Sequence, residues 1–209
     1  MAGKILNELK RHAPFSIFGA VSALLIAVLC QRVSQDVAHT VFYVLHPIHV
    51  VLSALVTASL YELHTCKSLN GGCLRGKCNL WILLVIGYTG SIGIATLSDS
   101  IIPYLGEFML GMPNRGLHLG FIEKWWLVNP LAIAGVLIAF LHPSTKFPHA
   151  GHVLLSTWAS LFHILMAVGT KDLQWYGYIT IAIFLFVAVW LPCCLSDIVF
   201  PLLFVKGKK

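Results

Sequence analysis

Charge is what this chain has least of. Of its 209 residues only 11% are Asp, Glu, Lys or Arg, with 8 acids against 14 basic residues. About a quarter of a soluble domain is charged, so an ordinary water-soluble fold is excluded. Zinc-protease and zinc-ribbon signatures are missing as well. No H-E-x-x-H is present, and the six cysteines include no C-x-x-C pair. Long polar connections are also scarce, which leaves no room for a separate soluble domain.

What is present is apolar. Hydrophobic residues make up 58% of the chain and its mean hydropathy is +0.84. At about 20 residues per bilayer crossing, this length allows roughly six spans with short loops. The apolar runs place them near 14–31, 38–62, 80–105, 125–142, 149–169 and 174–204. The first run follows a basic arm and has no A-x-A-like cleavage site, so it reads as a retained helix. The expected fold is an all-α integral membrane protein with one membrane domain over residues 1–209.

The basic residues are unevenly shared between the loops. Lys4, Lys10, Arg11, Lys67, Arg75, Lys77, Lys146, Lys206, Lys208 and Lys209 fall on one side of a six-span chain, against Arg32, Arg115, Lys124 and Lys171 on the other. The positive-inside rule then puts both termini in the cytoplasm. The net charge of +6 follows from this topology, with the lipid bilayer as the partner and no nucleic acid needed.

The chain also repeats itself. "PFSIFG" (Pro14 to Gly19) matches "PLAIAG" (Pro130 to Gly135), "HPIHVVLS" (His46 to Ser53) matches "HAGHVLLS" (His149 to Ser156), and "LSDSIIP" (Leu97 to Pro103) matches "LSDIVFP" (Leu195 to Pro201). The order is the same in both halves, giving one repeat over about 12–110 and another over about 124–205. Three spans are an odd number of crossings, so the second copy enters from the opposite face, as in many transporters built from inverted halves. The halves differ before the His motif, where "QRVSQDVAHTVFYVL" faces the shorter "HPSTKFP".

The repeated motifs carry the chemistry. Asp99 and Asp197 stand deep in apolar runs, where an unpaired charge costs at least about 2.5 kcal/mol. Pro103 and Pro201 follow each by four residues and deny its carbonyl a helical partner, so each Asp offers a carboxylate beside its own backbone oxygen. His46, His49 and Ser53 share one helix face, as do His149, His152 and Ser156. Each His pair lies at the level of its own Asp. Two imidazoles and a carboxylate leave room for a water or a transported ion, and these donors suit a divalent, zinc-like transition metal. Spacing alone leaves open whether the two sets stay apart or converge.

Other features are weaker. His39, His118, His142 and His163 read as interior hydrogen-bond donors. His64, Cys66, Cys73 and Cys78 could hold zinc but match no known spacing, and Cys193 and Cys194 could line a path for a soft metal. Trp81, Trp125, Trp126, Trp175 and Tyr176 mark interfaces, and "GYTGSIG" marks a close helix crossing.

The expected function is a membrane transporter or channel for a cation, with a metal ion or proton as its partner and a homo-oligomer allowed for. A b-type cytochrome is the first alternative, since His149 and His163 are spaced to reach two haems. A membrane-embedded metal-dependent hydrolase is the second, with Glu107 and Glu123 assigned to the outer connection.

Overall fold

The computed structural model describes residues 2–30, 33–66, 79–169, 173–194 and 200–204. These form helices α1 (Ala2–Leu29), α2 (Gln35–Cys66), α3 (Leu80–Thr96), α4 (Ile102–Met109), α5 (Gly120–Glu123), α6 (Trp125–Leu141), α7 (Lys146–Val168), α8 (Trp175–Cys194) and α9 (Phe200–Leu203), with no strand among the described residues. Four helical stretches are long and apolar enough to cross a membrane, at Gln35–Thr65, Leu80–Met109, His149–Val168 and Trp175–Cys193. Ala13–Leu29 and Trp125–Leu141 are shorter apolar helices.

The outer surface agrees with a lipid solvent. Large apolar side chains such as Phe18, Leu25, Val85, Phe108, Ile183 and Trp175 are exposed, while Ser98, Ser156, Thr157 and Ser160 are wholly buried. Polar groups inside and apolar groups outside is an order that water does not favour and hydrocarbon does.

α2 and α7 form the centre. Phe42 meets His163, His49 meets His152, Leu52 Cδ1 lies over Gly151, and Ser59 Oγ accepts from Ser144 N–H. The partners run in opposite order along the chain, so the two helices are antiparallel. Around this pair, α6 packs on α2 and α1 on α7, α1 packs on α8 and α3 on α6, and α3 packs on α2 as α8 does on α7.

Glycine lets these helices approach closely. A Cβ on Gly135 would sit 2.5 Å from Val51 O and 2.9 Å from Ala54 Cβ, and one on Gly19 would sit 2.8 Å from Thr157 Oγ1. Small residues at a crossing allow backbone-to-backbone contact, which is how helices bind one another in lipid. In "GYTGSIG" the close crossings are Gly87, against Val136 and Ala58, and Gly90, against Thr57 and Phe200; nothing lies within 4 Å of a Cβ at Gly93.

Between α3 and α4 the chain stays helical but changes register. Leu97–Ile101 is a π-turn, and Ile102 N–H donates to Leu97 O. In α-helical register that donor would reach Ser98 O. The carbonyl of Ser98 is instead met by the Ser160 hydroxyl at 2.9 Å, with Ser156 O 2.7 Å from the same hydroxyl. Pro103, in the first turn of α4, removes the N–H that Asp99 O would otherwise accept. Extra π-turns of this kind gather at functional sites.

Candidate metal centre

The π-turn presents Asp99 to α2 and α7, and the carboxylate is fully buried. His46 Nδ1 lies 2.9 Å and His49 Nδ1 2.7 Å from Asp99 Oδ2. The hydroxyls of Ser98 and Ser156 donate to Oδ1 at 2.6 and 2.7 Å. An ionised carboxylate only accepts, and it has about four sites for doing so. All four are taken. The same pairing makes Nδ1 the protonated nitrogen of both rings, which leaves Nε2 of each as the atom with a lone pair.

The two Nε2 atoms meet different surroundings. A Cβ on Gly120 would lie 2.5 Å from His46 Nε2, so that nitrogen abuts the backbone of α5. His49 Nε2 is buried with no hydrogen-bond partner among the described residues. Its ring lies parallel to that of His152, with centroids 5.7 Å apart and 6° between planes. Cys193, on α8, completes a set with His49 and His152 whose ligand atoms all lie within 4.8 Å of one another; His46, His49 and Asp99 form a second such set. His49 belongs to both.

The residues singled out in the sequence therefore distribute as follows. His46, His49, Asp99, His152 and Ser156 come together. Ser53 is buried on the same helix as His49 but makes no hydrogen bond to Asp99. His149 is half-buried, with its ring 5.0 Å from that of His152. Pro103 is buried in α4, and Pro201 belongs to α9. Asp197 lies outside the described residues, as do Cys73 and Cys78 and the side chains of Cys66, Cys194 and Pro201. His64 is exposed and bonds Leu60 O through Nδ1.

Two sequence expectations need correction. Glu107 is not in the outer connection: it ends the third apolar run inside α4, fully buried, with Oε1 2.6 Å from His163 Nδ1. Glu62, near the end of α2, is buried too. Asp99 is thus not the only buried acid among the described residues; the sequence assigns Glu107 to the outer connection because the run "IIPYLGEFML" reads as fading into a loop at Gly106. His142, expected inside, is exposed just beyond the end of α6, where the helix stops before Pro143.

Outside the apolar spans, Glu123 is the one acid of the 110–124 segment. Burial raises its carboxyl, but the hydrogen bond from the Tyr43 hydroxyl and the charges of His118 and His39 outweigh this and hold it below the ordinary value of 4.5.

No protein family, curated relative or solved structure matches this chain. What it does must be argued from these side chains.

Proposed function

We propose that this is a six-span membrane transporter for a divalent transition-metal cation, built from two inverted three-helix repeats with both termini in the cytoplasm. The observation that carries the reading is the meeting of His49 and His152 where α2 crosses α7, with Asp99 fixing His49 from behind.

The packing supports the repeat. Adding 103 to a residue of α2 gives its sequence match on α7, so His49 corresponds to His152, Ala54 to Thr157 and Ser53 to Ser156. Gly19 packs on Thr157, and its match Gly135 packs on Ala54. The helix contacts pair off in the same way, α1 with α7 answering α6 with α2, and α1 with α8 answering α6 with α3. In this reading a two-fold axis in the membrane plane, passing between His49 and His152, would relate the two halves. Transporters of this type hold their cargo at such an axis, and rocking of one half against the other opens it to either side. By the separate match of "LSDSIIP" with "LSDIVFP", Asp197 stands to the second half as Asp99 does to the first.

The donors select the cargo. Imidazole and thiol suit zinc-like and copper-like ions, and a water completes four-coordination when the protein supplies three ligands. Because Asp99 already accepts four hydrogen bonds, it serves as the carboxylate that orients a ligating histidine. His49 Nε2, His152 and Cys193 are then the ligands, and His46 helps to hold the carboxylate.

Protein purified without chelators should carry about one transition metal per chain by elemental analysis, and liposomes containing it should take up that ion. His49→Gln and His152→Gln should abolish both. A metal-free protein whose uptake is unchanged by either substitution overturns the reading. A Soret band from the same preparation would replace it with the haem alternative, and chelator-sensitive hydrolysis of a lipid or peptide without ion uptake would replace it with the hydrolase.

A further inference from the structure

A second buried acid and imidazole lie apart from the metal centre. Glu107 is 0% and His163 1% exposed, and they join α4 to α7 through the 2.6 Å contact between Oε1 and Nδ1. Two ionisable groups in an apolar span are costly to keep and usually mark a route for protons or ions. His163 Nε2, the ring atom not engaged by Glu107, is buried with no hydrogen-bond partner among the described residues. It is a ring nitrogen held out of water on the far side of an imidazole that contacts a buried carboxyl group.

A line of titratable groups connects this pair to the surface. The His118 ring packs edge-on against His163, with centroids 5.4 Å apart, and its Nδ1 is 3.4 Å from Glu123 Oε2. The His118 and Glu123 side chains are 27% and 40% exposed. His39 lies behind His118 at 6.2 Å between ring centroids, and Tyr43 donates to Glu123. Lys124 sits over the Tyr43 ring and Arg115 over Phe108. From α8, Phe184 packs on Gly106. Asp99 lies about two turns back along the same continuous helix. The line stops at Phe42, whose ring meets His163 edge-on at 5.4 Å and stacks on His46 at 5.2 Å. An aromatic wall divides the two centres.

His163 corresponds to Leu60, so the pair itself is not duplicated and serves something other than the repeated His motif.

We propose that Glu107 and His163 form a proton-binding site, filled from the 110–124 face through His118 and Glu123. An incoming proton leaves His118, whose ring must first turn to bring a nitrogen within hydrogen-bond reach, and bonds to Nε2 of His163. One N–H bond breaks and another forms, and the resulting imidazolium keeps its Nδ1–H on the Glu107 carboxylate, which offsets the charge where it arises. The site shares no ligand with the metal centre and binds its proton whether or not the transport reading holds. Where that reading does hold, proton and cation act on one another by charge across Phe42, not by competing for the same atoms.

Metal-free protein in detergent, labelled with 15N-histidine, provides the test. The His163 resonances, assigned by their loss in His163→Asn, should pass from the singly to the doubly protonated pattern over a titration from neutral to acid. Glu107→Gln should alter that change, because the carboxylate that receives the Nδ1–H is gone. His118→Phe should slow proton exchange at His163 while leaving its end states alone. A His163 ring that keeps one protonation state through the range, or titrates alike in Glu107→Gln, overturns the proposal. Should Glu107→Gln fail to fold, His118→Phe decides alone, and unchanged exchange there counts against the route.

Discussion

His49 and His152 face each other with parallel rings across the crossing of α2 and α7. They are also sequence counterparts, 103 residues apart in two matching motifs. If they bind one ion between them, neither can be removed without losing most of what the other contributes. His49→Ala and His152→Ala should each weaken zinc binding by at least about a hundredfold, and the double variant should be little worse than either. Independent, additive losses measured by calorimetry would mean that the rings serve separate sites.

Asp99 and Cys193 should separate by the kind of loss they cause. An asparagine at 99 can no longer accept from four donors, and its own N–H₂ faces donors, so Asp99→Asn should cost about 3 kcal/mol of stability and lower metal affinity about 10- to 100-fold. Cys193→Ser should leave the fold intact but remove the sulfur-to-metal charge-transfer band of cobalt-loaded protein. An Asp99→Asn protein with full affinity would show that the carboxylate neither binds nor orients a ligand.

The sequence revealed the helices more fully than the site. Apolar runs located most of the helices within a few residues because hydrocarbon tolerates little else, although α1 begins at Ala2, well before the first apolar run, and α8 ends at Cys194, before the last run does. The Asp99 motif was legible because an acid and a proline four residues on are rare in such a run. The partners of Asp99 were only half legible: helix periodicity puts His46 and His49 on one face, but that Ser156 reaches over from the other half depends on how α7 lies against α2, which no local pattern encodes. Glu107 was missed for the same reason. Its burial comes from His163 and the covering 110–124 segment, not from its neighbours in sequence.

Two glycine substitutions should differ in severity. At Gly135 the clash of an added Cβ is with backbone, Val51 O at 2.5 Å, whereas at Gly19 it is with a side-chain hydroxyl, Thr157 Oγ1 at 2.8 Å. A hydroxyl can turn aside and a helix backbone cannot without moving the helix. Gly135→Ala should therefore lower stability by about 1–3 kcal/mol, and Gly19→Ala by distinctly less. Thermal unfolding in one detergent compares them directly. Equal costs would show that α6 yields as readily as the Thr157 side chain.

The Glu123 carboxyl gives a pH dependence with a definite sign. Its value in the folded chain is lowered from 4.5, so the folded state favours the ionised form more than the unfolded state does. The stabilisation is then complete above about pH 4.5 and is lost as the pH falls through the lower, folded value. Glu123→Gln removes the charge but leaves an oxygen that can still accept from the Tyr43 hydroxyl. The melting temperature of the wild-type chain should exceed that of Glu123→Gln near neutral pH, and the gap should close on acidification below about 4.5. A gap that instead widens on acidification would mean that the Tyr43, His118 and His39 contacts do not favour the charged carboxylate.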